Sequence, residues 1–205
     1  MKAAVFISGG GTNMMSLVEA VKSGEIKNTE ISLVFSNRAD APGLEKAKMS
    51  GIRTLYMNPK DYSSNEEYDK ALAEKMNDEG VEVICLAGYM KILTPVFLDT
   101  FKGRIMNVHP AFLPSFGGKG YYGLKVHKAV IEYGVKYTGC TVHFVDYGAD
   151  TGPVILQEPV KVEDNDTPES LQKRVLEKEH ELYKKALGLY AEGRLEIKGR
   201  RVFVK

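Results

Sequence analysis

Near its start the chain reads Ala3-Ala4-Val5-Phe6-Ile7-Ser8-Gly9-Gly10-Gly11-Thr12-Asn13, and this stretch decides the fold. Its apolar half predicts a strand buried on both faces, as in a parallel sheet. The apolar residues that follow the three glycines recur at helical spacing: Met14, Leu17, Val18 and Val21. A strand, a glycine loop and a helix form a phosphate-binding arrangement, because free N–H groups and the helix dipole converge on an anion at the helix start.

The glycine loop is not a dinucleotide fingerprint. The third glycine of a Gly-x-Gly-x-x-Gly pattern read from Gly9 would fall at Met14, and no Gly-Lys-Ser/Thr follows for a nucleoside triphosphate. A monophosphate fits the loop better. The alternative is that the loop only joins the strand to the helix and binds nothing.

Apolar runs and helical patterns alternate along the rest of the chain. Strands are predicted at 31–35, 53–57, 83–87, 104–109, 139–145 and 154–162, and helices at 44–50, after Ser64, after Thr94, at 124–133 and after Thr167. This alternation predicts an α/β fold with a doubly wound, mostly parallel open sheet and helices on both faces. Beyond Gly193 the chain predicts a terminal hairpin that turns at Lys198 and Gly199.

Length and composition restrict the possible functions. A chain of 205 residues suits one well-buried domain. Charged residues make up 27% and the formal net charge is +1, so electrostatics suggest neither nucleic acid nor a membrane as partner, and the partners should be small molecules. Cys85 and Cys140 each lie in an apolar run without Cys-x-x-Cys spacing, which indicates core residues in a reducing compartment. No apolar run is long enough for a membrane span or a secretory segment, and we expect a cytoplasmic protein.

Two polar segments predict chemistry. Asn107 and His109 end an apolar strand, and side-chain alternation places both on one face of it. Asp150 lies in a glycine-rich loop between two later strands, which could return it to the end of the His109 strand. A carboxylate raises the pKa of a neighbouring imidazole, so His109 would hold a proton near neutral pH, while Asn107 would donate to a developing oxyanion. The alternative is that His109 is a satisfied structural residue.

Two further segments are ambiguous from the residues alone. Met90, Ile92 and Leu93 follow a strand end, where open α/β sheets bind ligands, and would suit a flat heteroaromatic ring; otherwise they pack onto the core. Glu179 falls on the apolar stripe of the last long helix. A carboxylate there costs free energy unless it is paired or reaches a ligand, and the residues alone favour an ion pair.

The strand end Asn107-x-His109-Pro110, the pair Leu113-Pro114 and the loop Asp150-Thr151-Gly152-Pro153 together resemble the folate-dependent formyltransferases, and within them the phosphoribosylglycinamide formyltransferases of purine synthesis. The resemblance covers the chain from Val5 to about Gly193. It implies the formyltransferase fold, with a Rossmann-like phosphate-binding half over about 1–105 and a catalytic and folate-binding half over about 106–193. With the terminal hairpin over about 194–205, we expect a single domain over 1–205. It also implies formyl transfer from 10-formyltetrahydrofolate, as co-substrate, to the amine of glycinamide ribonucleotide, with no metal and no covalent enzyme intermediate.

The resemblance assigns roles to individual residues. Asn107, His109 and Asp150 match the catalytic trio. The residues that match the substrate site are Gly11, Thr12 and Asn13 at the phosphate and Glu179 near the ribose, which replaces the ion-pair expectation for Glu179. The residues that match the folate site are Met90, Lys91, Ile92, Leu93 and Asn107.

Some positions depart from the family pattern. Relatives usually have Arg at the place of Lys91, and an Arg that contacts folate in relatives aligns with Asn65, so that Lys60 or Lys91 would replace it. A 10-formyltetrahydrofolate hydrolase would use the same trio but has a His in place of Pro110 and an additional N-terminal domain. A methionyl-tRNA formyltransferase would need a basic RNA-binding domain. A non-enzymatic folate or phosphosugar binding module would keep the pockets and lose the trio. The protein is expected to be a monomer or a weak homodimer.

Overall fold

The computed structural model describes all residues from 1 to 205, and they form two compact units, Met1–Asn107 and Val108–Lys205. None of the helices has both the length and the apolar character needed to cross a lipid bilayer.

The first unit alternates strands and helices. Its elements are β1 (Lys2–Ile7), α1 (Thr12–Lys22), β2 (Glu30–Ser36), α2 (Pro42–Met49), β3 (Thr54–Tyr56), a single 3₁₀ turn (Pro59–Asp61), α3 (Asn65–Asp78), β4 (Val83–Leu86), α4 (Pro95–Thr100) and β5 (Ile105–His109), whose last two residues belong to the second unit. The strands are parallel and lie in the order β3-β2-β1-β4-β5. Because the order reverses at β1, right-handed crossovers place helices on both faces of this sheet. The reversal creates a crevice between the ends of β1 and β4, where sheets of this kind bind ligands.

The core of the first unit follows from the apolar pattern. The side chains of Ala3 to Ile7 in β1 are fully buried, as a strand covered on both faces requires. Met14, Leu17 and Val18 of α1 are buried at helical spacing. Ser64 is the N-cap residue of α3, and its hydroxyl accepts a hydrogen bond from the Glu67 N–H.

The second unit combines antiparallel strand pairs with two helices. Its elements are α5 (Leu124–Tyr133), β6 (Tyr137–Phe144), β7 (Val154–Lys161), α6 (Pro168–Ala191), β8 (Leu195–Lys198) and β9 (Arg201–Val204). The pairs β6/β7 and β8/β9 are antiparallel, and β7 and β9 are parallel. At the start of α6, Thr167 and Ser170 form a reciprocal capping box.

The predicted fold class is confirmed, because five of the seven strand pairings described are parallel and helices cover both sides. The terminal hairpin is also confirmed, and both cysteines are free and buried. Helix α5 packs through Val126, His127 and Val130, whereas its last residue, Tyr133, is 79% exposed.

We expect Gly152→Ala to destabilise the fold strongly. A Cβ at this position would lie 1.7 Å from the backbone oxygen of Phe144, so the loop after β6 would have to move. Urea unfolding should show that the free energy of unfolding falls by at least about 2 kcal/mol. The matched control is Gly188→Ala in α6, where a Cβ meets nothing within 4 Å. The higher helix propensity of alanine should raise the free energy of unfolding of this variant by about 0.5–1 kcal/mol. Equal effects of the two substitutions would contradict the assignment of a close backbone approach at Gly152.

Candidate active site

His109, at the end of β5, faces the carboxylate of Asp150 in the loop between β6 and β7. Nδ1 of His109 lies 3.4 Å from Oδ2 of Asp150, and Nε2 of His143 in β6 lies 3.7 Å from Oδ1 of the same carboxylate. The His109 side chain is 5% exposed and that of Asp150 is 16% exposed. The carboxylate therefore lies between two imidazoles and is largely shielded from water, which strengthens their electrostatic interaction.

The segment from Phe116 to Gly118 contacts both members of this pair. The carbonyl oxygen of Phe116 lies 2.8 Å from Nε2 of His109, and the Gly118 N–H donates to Oδ2 of Asp150 at 2.9 Å. Because a carbonyl can only accept, Nε2 carries a hydrogen in this arrangement, and Nδ1 is the nitrogen that gains or loses a proton beside Asp150. A Cβ at Gly117 would meet the end of the Leu113 side chain, so the glycine lets this segment pass close to Leu113.

Burial and charge act in opposite directions on the two pKa values. Burial lowers the pKa of His109, the Asp150 charge and the Phe116 carbonyl raise it, and the net pKa lies below the ordinary histidine value. Burial alone would raise the pKa of Asp150, but the contacts from His143, His109 and Gly118 hold it below its ordinary value. The resting pair is therefore an ionised Asp150 beside a neutral His109. The expectation that Asp150 raises the pKa of the imidazole has the right sign for that interaction, but the expectation of a protonated His109 near neutral pH is wrong, because burial outweighs it.

Asn107 lies two residues before His109 in β5. It is half-buried, and its backbone is in register with Leu86 of β4. The structure thus brings His109 and Asp150 into contact and places Asn107 at the carboxyl end of the first unit's sheet.

A buried polar network fixes the backbone that follows His109. The hydroxyl of Thr141 in β6 donates to the Ala111 carbonyl at 2.7 Å and accepts from the Leu113 N–H at 3.1 Å. Gln157 in β7 donates to the Leu113 carbonyl and to the Thr141 oxygen. These residues were not singled out from the sequence, because Thr141 and Gln157 occupy ordinary strand positions whose partners lie 16 to 44 residues away.

The glycine loop after β1 has the geometry of an anion site. Gly11 is the N-cap residue of α1 with a φ of 67°, and it has no side chain to cap the helix. The first turn of α1 contains no acidic residue, Thr12 is exposed and Asn13 is buried. Its first N–H groups and the positive end of the helix dipole therefore favour an anion.

Helix α2 holds this loop in place, which the sequence did not indicate. The Gly43 N–H donates to the Gly9 carbonyl at 3.0 Å, and Nζ of Lys46 donates to the Gly10 carbonyl at 2.8 Å. Gly43 is a glycine for a steric reason, since a Cβ would lie 3.0 Å from the Gly9 oxygen and closer still to Ile7. The ammonium of Lys46 also adds positive charge beside the loop.

The loop from Gly88 to Thr94 follows β4 and lies next to β1. The Ser8 N–H donates to the Gly88 carbonyl at 3.1 Å, and the Ser8 hydroxyl accepts from the Met90 N–H at 2.9 Å. Met90 and Ile92 are 52% and 68% exposed, whereas Leu93 is only 6% exposed. Met90 and Ile92 thus remain accessible, and Leu93 packs against the core.

Lys91 and Glu179, the remaining candidate binding residues, both have charged or polar neighbours. Nζ of Lys91 donates to Oδ1 of Asn65 at 2.8 Å, so Lys91, one of the two candidates for a folate contact, lies directly beside Asn65. Glu179 in α6 is 7% exposed. Burial raises the pKa of the Cys140 thiol in β6, and the negative charge of Glu179 is the second cause that raises it.

The comparisons with known proteins agree on one family. A family model described as formyl transferase matches residues 1–187. The chain is 39% identical to phosphoribosylglycinamide formyltransferase of Escherichia coli over 96% of its length and 90% of that protein, and 43% identical to the chloroplastic enzyme of Arabidopsis thaliana over 95% of its length and 67% of that protein. It spans only 19% of the trifunctional purine biosynthetic protein adenosine-3 of Gallus gallus. The crystal structure of glycinamide ribonucleotide transformylase 1 from Symbiobacterium toebii superimposes with a TM-score of 0.94 at 45% identity, over 100% of this chain and 93% of that one.

His127 gives a prediction for the pH dependence of stability. Burial, and then the nearby His109, lower its pKa from 6.5 to about 4. Between these values the unfolded chain binds more protons than the folded one, so the free energy of unfolding should fall as the pH is lowered through this range. His127→Gln should reduce the loss of Tm between about pH 7 and about pH 5, as measured by scanning calorimetry. Lys128→Gln, at the exposed neighbouring position, should leave the loss unchanged, and equal losses in wild type and His127→Gln would contradict the prediction.

Proposed function

The chain belongs to the formyl transferase family, and we propose that it transfers the formyl group of 10-formyltetrahydrofolate to the amine of 5-phosphoribosylglycinamide in de novo purine synthesis. The observation that carries the proposal is the match to the Escherichia coli phosphoribosylglycinamide formyltransferase over 90% of that protein. The products would be formylglycinamide ribonucleotide and tetrahydrofolate. The two free, buried cysteines suit a reducing compartment, and we place the reaction in the cytoplasm.

The His109 and Asp150 pair supports general acid–base catalysis of this transfer. A neutral His109 takes the proton that the amine loses when its nitrogen bonds to the formyl carbon. The resulting imidazolium is stabilised by the ionised Asp150 at 3.4 Å, and it returns a proton to N10 of the folate as the bond between N10 and the formyl carbon breaks. One C–N bond forms, one breaks, and one proton moves in total from the amine to N10.

Asn107 acts on the formyl oxygen in this proposal. Its side-chain amide donates to the oxygen while negative charge develops there, a contribution typically worth several kcal/mol of transition-state stabilisation. Holding the two substrates in line adds rate through proximity.

The remaining residues bind the two substrates. Gly11, Thr12 and Asn13 receive the phosphate at the start of α1, with Lys46 adding charge, and Glu179 binds the ribose. The exposed side chains of Met90 and Ile92 fit the apolar faces of the folate ring. Lys91, held beside Asn65, supplies positive charge for a folate carboxylate.

We expect His109→Ala to lower kcat by roughly 10²–10⁴-fold with little effect on the binding of either substrate, since the change removes a proton-transfer group. Tetrahydrofolate release is followed with and without glycinamide ribonucleotide. His127→Gln, at the neighbouring buried histidine, should retain kcat within a few-fold. A turnover of His109→Ala close to wild type would refute the catalytic assignment, and equal release without the amine in the wild type would identify a hydrolase instead.

We also expect Lys46→Gln to raise the KM for glycinamide ribonucleotide about threefold to tenfold, because the change removes a charge held at the phosphate loop. The KM for 10-formyltetrahydrofolate should not change. Lys48→Gln, on the same helix and paired with Glu45, is the matched control. A rise of the same size in both variants would show that Lys46 acts only through overall charge.

A further inference from the structure

A buried carboxylate that the proposed reaction does not use lies beneath the loop after β4. Asp69 of α3 has no solvent exposure, and its Oδ2 accepts a hydrogen bond from the Thr94 N–H at 2.5 Å. Thr94 is both the last residue of the loop from Gly88 to Thr94 and the N-cap residue of α4. Asp69 therefore binds the backbone at the point where this loop enters a helix.

The acid is costly at this position. Burial raises the pKa of Asp69, and the contacts with Thr94 and the charge of Lys91 only partly oppose this. Its second oxygen, Oδ1, is buried without a hydrogen-bond partner. Leu72 and Met76 provide the packing of the same helix and are fully buried. A buried carboxylate with one hydrogen bond does not stabilise a fold by itself. We therefore look for its role in the backbone of Thr94, which it holds.

The loop is held at both ends, and α3 supplies two of the contacts. Ser8 bonds to Gly88 and Met90 at the start of the loop. On α3, Asn65 and Asp69 are four residues apart and so lie on one face of the helix, where they bind Lys91 and Thr94 respectively. The exposed side chains of Met90 and Ile92 lie between these anchored points.

We infer that Asp69 is a positioning residue that fixes the backbone of residues 90–94 in the conformation that binds the pteridine ring of the folate, an inference that rests on the proposed function. Loss of this hydrogen bond leaves the loop backbone free to sample other conformations, and folate then binds only to the fraction in the competent one. The effect should fall on folate binding and not on the amine substrate or on proton transfer.

The test compares Asp69→Ala, which removes the acceptor, with Asp69→Asn, which keeps a neutral one. Hydrogen bonds to a charged acceptor are about twice as strong as those to a neutral one, so the two variants should differ in degree. The KM for 10-formyltetrahydrofolate should rise about threefold in Asp69→Asn and at least about tenfold in Asp69→Ala, with kcat and the KM for glycinamide ribonucleotide within about twofold of wild type. Leu72→Ala is the matched control, because it creates a cavity in the same helix without touching Thr94, and it should leave both KM values unchanged at temperatures well below its Tm.

Calorimetric titration of 10-formyltetrahydrofolate into each variant, without the amine, separates this inference from the proposed function. A wild type that binds folate but forms no product refutes the proposed reaction, and the order of the Kd values still tests Asp69. If Asp69→Ala does not fold, Asp69→Asn decides alone: a folate-specific weakening supports the inference. Unchanged folate affinity in every Asp69 variant that folds, or equal changes for both substrates, would overturn it.

Discussion

The proposed chemistry depends on one electrostatic arrangement, a carboxylate buried between two imidazoles. Asp150 faces His109 and His143 and accepts from the Gly118 N–H, and these contacts keep it ionised despite its burial. A charge shielded from water in this way acts on His109 far more strongly than an exposed one would. The same burial keeps the ring neutral at rest, and a neutral ring can act as a base. Each group therefore has the protonation state that the proposed first step requires.

The first unit contributes a frame on which loops are held by distant parts of the chain. The parallel order reverses at β1, so the loops after β1 and β4 are neighbours, and Ser8 connects them directly. Helix α2 holds the glycine loop through Gly43 and Lys46, and α3 holds the loop after β4 through Asn65 and Asp69. Ligand-binding loops need such support because binding depends on backbone placement to within a fraction of an ångström.

Local patterns were enough to predict most of the fold and the reacting groups, but not what supports them. Apolar runs fixed β1 and β5, and capping residues fixed the starts of α3 and α6, because those signals lie within a few residues of each other. The supporting residues Lys46, Asp69 and Thr141 carry no such signal, since each acts on a backbone atom at least 25 residues away. The direction of the net pKa shift of His109 could not be predicted from the sequence either, because it depends on burial by residues from several elements. The side chains of Met90 and Ile92 are accessible, as a binding role requires. Leu93 instead packs onto the core, which was the alternative interpretation of this segment.

The coupling between His109 and Asp150 can be measured directly by NMR titration of the His109 ring nitrogens in wild type and in Asp150→Asn. We expect a wild-type pKa below the ordinary histidine value, and a still lower pKa in Asp150→Asn, because the substitution removes the charge that favours the imidazolium while burial remains. A pKa of His109 that does not fall in Asp150→Asn would contradict the coupling, and with it the role given to the pair.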